Sequence, residues 1–459
     1  MRTLIKGGTI VNADGTARAD VLVDGERIAL IGERLDMAAD ATIDATGKWV
    51  IPGGIDVHTH MSLPFGGTIS KDDFETGTRA AEFGGTTTII DFAVQPKGGS
   101  LRQGLDEWHT KADGHCSIDY GFHGIVSDVR DDVLDEMDAL VDEGVTTFKL
   151  FTAYPGVFLS DDGAIFRAMQ RSAENGGLIM MHAENGVVID IVAAQNVAKG
   201  NTDPYYHGVS RYSIFEGDAT SRVIRLAQAA NAPVYIVHMT AREALDAVRV
   251  ARDAGQRVFA ETCPQYLTLT LDDLGNGFNG AKFVCSPPLR PQEHVDELWK
   301  GLVHDDLQVV STDHCPFDFE GQKELGRGDF RKIPNGLPAI ENRVDLVHDG
   351  GVASGRFSPN RWIQLVSTAP ARLFGLPTKG SVAVGFDADL VVYDPNRRHT
   401  LSAKTHHMNV DYSCWEGREV VGGSDVVMSR GKVIVEGGRW LGRPGDGRFV
   451  RRERSAYLK

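Results

Sequence analysis

The chain lacks several things, and each absence removes a class of protein. It has no Cys-x-x-Cys pair, and its five cysteines (Cys116, Cys263, Cys285, Cys315, Cys414) are odd in number and widely spaced. A disulfide framework is therefore not expected, and a reducing compartment is. No apolar run approaches the roughly 20 residues that span a bilayer. The opening Met1-Arg2-Thr3-Leu4-Ile5-Lys6-Gly7-Gly8 lacks the apolar stretch of a signal peptide. These readings predict a cytoplasmic protein with no membrane partner. Basic charge is scarce too: 48 Lys and Arg against 63 Asp and Glu leave a formal net charge of −15. That balance argues against nucleic acid as a partner and fits a soluble enzyme of small molecules.

What is present divides into two textures. At 459 residues the chain is too long for one ordinary core, which predicts a large domain and a smaller one. Both ends read as short strands and turns. Asp20–Ile28 is strand, turn, strand around an Asp-Gly hairpin signal, and Asp389–Tyr393 and Val426–Val435 repeat the pattern. The simplest packing joins both ends in a β-sandwich of residues 1–52 plus 377–459. The middle, residues 53–376, alternates strands and helices. Eight short apolar strand candidates occur: Ile55–His60, Thr86–Phe92, Ile118–Val126, Val145–Phe151, Leu178–Ala183, Val234–Met239, Arg257–Thr262 and Gln308–Asp313. Segments such as Asp131–Glu143 and Arg242–Ala254 place apolar residues at helical spacing between them. The expected class is α/β, a (β/α)8 barrel, with a doubly wound open sheet as the alternative.

Six of the eight candidates end in, or adjoin, a residue able to bind a metal or carry chemistry, which favours a closed barrel with one mouth. His58 and His60 lie two apart at a strand end, so both side chains point to one side. A lone His-x-His is weak evidence for a metal. His182, His238 and Asp313 each close a further apolar run, and Lys149 lies within another. Burying so many ionisable groups without a purpose is costly. An ammonium is no metal ligand. Lys149 is either half of a structural ion pair or an amine carboxylated by CO2, which would make it an anionic two-oxygen ligand.

Taken together, His58-Thr59-His60, Phe148-Lys149-Leu150-Phe151, His182-Ala183-Glu184-Asn185, Val237-His238 and Thr312-Asp313-His314-Cys315-Pro316-Phe317 resemble the cyclic amidohydrolases. More closely, they resemble the hydantoinase and dihydropyrimidinase branch, and the likeness runs over essentially the whole chain. It implies that His58, His60 and Asp313 hold one divalent metal, and that His182 and His238 hold a second. Lys149, as N6-carboxylysine made with CO2 or bicarbonate, would bridge them, with a hydroxide between the metals. Zinc is the default, and manganese, cobalt and iron are admitted. Asp313 would carry the proton to the leaving nitrogen, and Tyr154 would stabilise the oxyanion. Main-chain groups at Ser286 and Asn335 would hold the ring -CO-NH-CO- unit, although Pro and Gly crowding makes both segments rigid turns in any case.

The implied activity is hydrolysis of 5-substituted hydantoins or 5,6-dihydropyrimidines to N-carbamoyl amino acids. Met61, Leu63, Phe65, Val94, Phe151 and Phe158 lie in the stretches that would face the ring substituent, which suits an apolar group, with about half of them expected in the pocket. Ser62 stands where the family often carries a carboxylate. Dihydroorotases usually carry an arginine near Met61, so an acidic ring is disfavoured. Allantoinases share the metal set and stay open. A non-catalytic dihydropyrimidinase-related scaffold would have lost metal ligands, and a mononuclear deaminase would leave Lys149 unmodified. The other histidines, among them His123, His207 and His314, are expected to be structural or exposed. The resemblance implies a homotetramer. The basic tail Arg448–Arg454 would either reach an acidic neighbouring subunit or remain a solvated end.

Overall fold

The structure is a computed structural model and describes residues 1–458. The eight expected strands occur in the expected order as one parallel sheet: β1 (Gly54–Thr59), β2 (Thr86–Val94), β3 (Asp119–Ile125), β4 (Thr147–Phe151), β5 (Leu178–His182), β6 (Val234–Ile236), β7 (Val258–Thr262) and β8 (Val309–Val310). Side chains alternate across it. On β4, Phe148 and Leu150 pack outward into the helix layer, while Phe151 joins the inner cluster with Met180, Tyr235 and Phe259. The segment Asp131–Glu143 is the helix its periodicity predicts. It opens with Asp131 and Asp132 at the positive end of the helix and stops at Gly144, whose φ of 98° suits glycine.

Closure between β8 and β1 is made differently from the other seams. β8 is two residues long, and the seam is a single bridge, Thr59 to His314. Thr312 completes it from both ends. Its hydroxyl donates to Asp56 at 2.6 Å and its amide contacts the same carboxylate at 3.2 Å. Just beyond it the backbone leaves the extended region, Asp313 adopting φ 52°.

The chain ends form two further sheets, a four-stranded one from the N-terminal part alone and a seven-stranded one in which both ends meet. Trp49–Pro52 from the N-terminal part pairs antiparallel with Leu390–Thr400 from the C-terminal part, with Val50 opposite Val392. Their shared core takes Ile5, Val21 and Val50 from one end and Leu390, Val392 and Met428 from the other. Lys379 ties this layer to the barrel: its Nζ lies 2.8 Å from Asp119, at the start of β3, and 2.5 Å from Asp389.

The basic tail is not the solvated end that was one of its two expectations. It folds back on its own barrel. Val450 N–H donates to the Tyr120 carbonyl at 2.8 Å, and the buried Arg452 donates to the Phe122 carbonyl and to Thr147 Oγ1. The Phe122 carbonyl and the Thr147 hydroxyl both accept from one terminal nitrogen of that guanidinium, which anchors the tail against β3 and β4. Arg448 pairs with Glu26 and Arg454 with Asp142. No helix is long and apolar enough to cross a membrane among the described residues.

Candidate metal centre

The C-terminal ends of the strands converge, as a barrel requires. His58 and His60 leave β1 side by side, with ring centroids 5.2 Å apart. One carboxylate oxygen of Asp313 lies 3.1 Å from His58 Nε2 and 3.2 Å from His60 Nε2. These three form a cluster whose donor atoms all lie within 4.8 Å of one another. Across the mouth, His182 Nδ1 and His238 Nε2 approach to 2.9 Å. Lys149 stands between the two groups, its Nζ 2.8 Å from His58 Nε2. All six residues expected at the site are therefore brought together.

The surroundings fit these side chains to a cation. Burial pushes the His60 pKa down to about 3 and lowers those of His182 and His238, so these imidazoles keep a free lone pair at neutral pH. For His58, burial and the Lys149 ammonium act downward, but Glu261 and Asp313 outweigh them and raise its pKa. Two carboxylates set the tautomers. Glu261 Oε1 lies 2.5 Å from His58 Nδ1, and Glu184 Oε2 lies 2.9 Å from His182 Nε2. Each draws the ring proton outward and leaves the other nitrogen's lone pair facing inward, the usual outer-shell device of metal sites. Buried Nδ1 atoms of His60 and His238 have no partner of their own. The residues fit a divalent metal held at this spot.

Lys149 is fully enclosed, and burial pulls its pKa down to about 8. Its Nζ lies over the rings of Phe92 at 4.3 Å and Phe151 at 5.1 Å. Among the described residues no carboxylate stands within ion-pair distance of it, so the structural ion pair is not formed.

Tyr154, Ser286 and Asn335 line the same pocket as His60, Lys149, His182, His238 and Asp313. Burial pushes Tyr154 up to about 12, which keeps its hydroxyl a donor. Among the described residues seven non-glycine positions have positive φ, and four of them, Ser62, Tyr154, His238 and Asp313, stand around this mouth. Such backbone persists only where the surroundings hold it. Asn335 Nδ2 donates to Ser286 Oγ at 3.0 Å, joining the two loops.

Four of the six apolar residues expected around the ring substituent line the pocket: Leu63, Phe65, Phe151 and Phe158. Met61 and Val94 do not. Met61 is fully buried and turned toward Gly77, where a methyl group would meet its sulfur. His123 and His314 are structural, as expected. His123 Nε2 faces the Val57 carbonyl at 3.0 Å, and His314 bridges Asp72 and the amide of Ala339. Sequence reasoning missed Glu261, which sits in the run Glu261-Thr262-Cys263-Pro264 at the end of β7. A carboxylate closing an apolar strand was the available signal.

A parallel barrel whose mouth collects four imidazoles, a carboxylate and a buried lysine defines a metal-dependent hydrolase. The chain belongs to the amidohydrolase family, whose profile matches residues 49–434. It is 58% identical over 464 residues to a D-hydantoinase of Streptomyces coelicolor, covering 100% of this chain and 99% of that one. A D-hydantoinase of Geobacillus stearothermophilus is 49% identical over 461 residues, covering 100% and 98%. Among solved structures, the dihydropyrimidinase from Brevibacillus agri superposes with a TM-score of 0.98 at 48% identity, covering 99% of each chain.

Proposed function

We propose that this enzyme opens the ring amide of 5-substituted hydantoins and 5,6-dihydropyrimidines, releasing N-carbamoyl amino acids. The observation that carries the reading is the pocket itself. The donor cluster forms its floor and an apolar collar of Leu63, Phe65, Phe151 and Phe158 lies beside it, in a chain 58% identical to a D-hydantoinase. The collar suits an apolar ring substituent and disfavours the very polar allantoin. The intact ligand set speaks against a scaffold.

His58, His60 and Asp313 would hold one cation and His182 and His238 the other, with zinc the default occupant. Lys149 would bridge them as N6-carboxylysine. Its neutral amine adds to CO2, forming a C–N bond and releasing one proton, and a lowered amine pKa assists that step. When bound, the two cations polarise the ring carbonyl and lower the pKa of the attacking water. Asp313 takes the water's proton and returns it to the leaving ring nitrogen. The Tyr154 hydroxyl donates to the oxygen that becomes negative. Main-chain groups of Ser286 and Asn335 hold the ureide face of the ring. A homotetramer in the cytoplasm completes the reading.

Rates on hydantoin, 5-phenylhydantoin, dihydrouracil and allantoin, with chiral analysis of the products, test it. The reading expects N-carbamoyl products from the first three, with the D product from 5-phenylhydantoin. Preference for allantoin, or no ring opening by metal-loaded protein, would overturn it.

A further inference from the structure

The loops that carry Ser286 and Asn335 to the pocket are held from behind by one buried lysine. Lys323 has no exposed surface, and its Nζ donates to the carbonyls of Val284 at 2.9 Å, Pro334 at 2.7 Å and Gly336 at 2.8 Å. Those three bonds use all three ammonium protons. Among the described residues no carboxylate lies within ion-pair distance of Nζ. The titratable groups that face it are the thiols of Cys285, Cys315 and Cys414, and burial pulls its pKa down to about 8. A buried ammonium is costly unless its donors are met, here by carbonyl dipoles alone.

The choice of carbonyls is informative. Pro334 and Gly336 flank Asn335 on either side. Val284 lies two residues before Ser286, and its carbonyl also accepts the Gly336 amide at 3.0 Å. The carbonyls on either side of Ser286 are taken as well, Cys285 by His207 Nε2 at 2.8 Å and Pro287 by the Tyr266 hydroxyl at 2.9 Å. Among the described residues, no protein donor reaches the carbonyl of Ser286 or of Asn335. Both residues line the pocket. The flanking acceptors are thus pinned away from the site, and two carbonyls are left for a ligand that offers N–H groups.

We infer that Lys323 is a positioning residue for substrate: its ammonium ties the two loops so that the peptide groups of Ser286 and Asn335 meet the ring -CO-NH-CO- unit. The inference rests on the cyclic-amide reading above. Lys323 touches neither the metal-site side chains nor the reacting atoms, so its loss acts on binding rather than on chemistry.

The test is steady-state kinetics of metal-loaded Lys323→Met and Lys323→Gln beside the unsubstituted enzyme, on hydantoin and 5-phenylhydantoin, with metal content measured for each. Methionine keeps the length and removes every donor, whereas glutamine keeps two. The expected result is a KM raised about tenfold or more in K323M and less in K323Q, as lost ground-state contacts predict. The value of kcat stays within about threefold and metal content is unchanged. An unchanged KM, or a fall in kcat with loss of metal, would overturn the inference. Failure of both variants to fold would overturn it too, making Lys323 a requirement of the fold itself. If the unsubstituted enzyme opens no ring, the proposed function fails instead.

Discussion

Glu261 Oε1 lies 2.5 Å from His58 Nδ1, with both side chains fully buried. The same carboxylate accepts from the Tyr235 hydroxyl at 2.8 Å and contacts the His238 amide at 3.2 Å. It therefore fixes the ring of one histidine of the candidate site, on β1, and the backbone of another, just beyond β6. Glu261→Gln keeps the shape and removes the charge. Affinity for zinc, measured by chelator competition, is expected to weaken about 10- to 100-fold. Unchanged affinity would show that His58 needs no such partner.

Lys149→Ala removes the residue placed between the two halves of the site. Bound metal is expected to drop by at least one ion per chain in elemental analysis. Turnover should fall about a thousandfold or more, since both the attacking water and the polarised carbonyl depend on the cations. Full activity in this variant would refute the bridging role and favour a mononuclear site.

Tyr154→Phe tests the oxyanion donor. Loss of one such donor costs about 10²- to 10³-fold in kcat, and the account expects that loss with metal content intact. A change confined to KM would recast Tyr154 as a wall of the pocket, where its ring meets Phe65 edge-on at 5.5 Å.

A pH effect on stability is expected away from the site. Burial pushes Glu82 from 4.5 up to about 7, and its bond from Trp440 Nε1 offsets only part of that. The folded chain therefore holds a proton that the unfolded chain has released above about pH 4.5. This group's contribution is complete below that value and is lost as pH rises toward 7. Glu82→Gln removes the dependence. Relative to the unsubstituted protein the variant should gain stability between pH 5 and 7, by up to about 3 kcal/mol, and keep the gain above 7. Thermal melts across that range check it. A stability difference that does not vary with pH would contradict the assignment.

Much of the site was legible because barrel geometry projects strand ends onto one mouth. His58, His60, His182, His238 and Asp313 each follow an apolar run, so their meeting followed once eight runs had been counted. Strand lengths were less legible. The expected Gln308–Asp313 shrinks to Val309–Val310, because Thr312 uses its side chain to close the barrel where a ladder was expected. Glu261 closes an apolar strand as the ligands do, but its role and that of Lys323 were not legible, for a different reason. Their partners are other segments' rings and carbonyls, and no spacing within their own segments announces those contacts. The place of the tail on its own barrel was not legible from its charge. Its arginines find carbonyls and acids of their own chain, which composition alone does not locate.

The central claim is a two-metal site that a carboxylated lysine completes. The most direct measurement strips the metal, then restores zinc with and without bicarbonate, following bound metal per chain and hydrolysis of 5-phenylhydantoin together. The account predicts two ions per chain and full activity only when both zinc and bicarbonate are supplied. Full activity with one ion per chain, or with CO2 rigorously excluded, would contradict it.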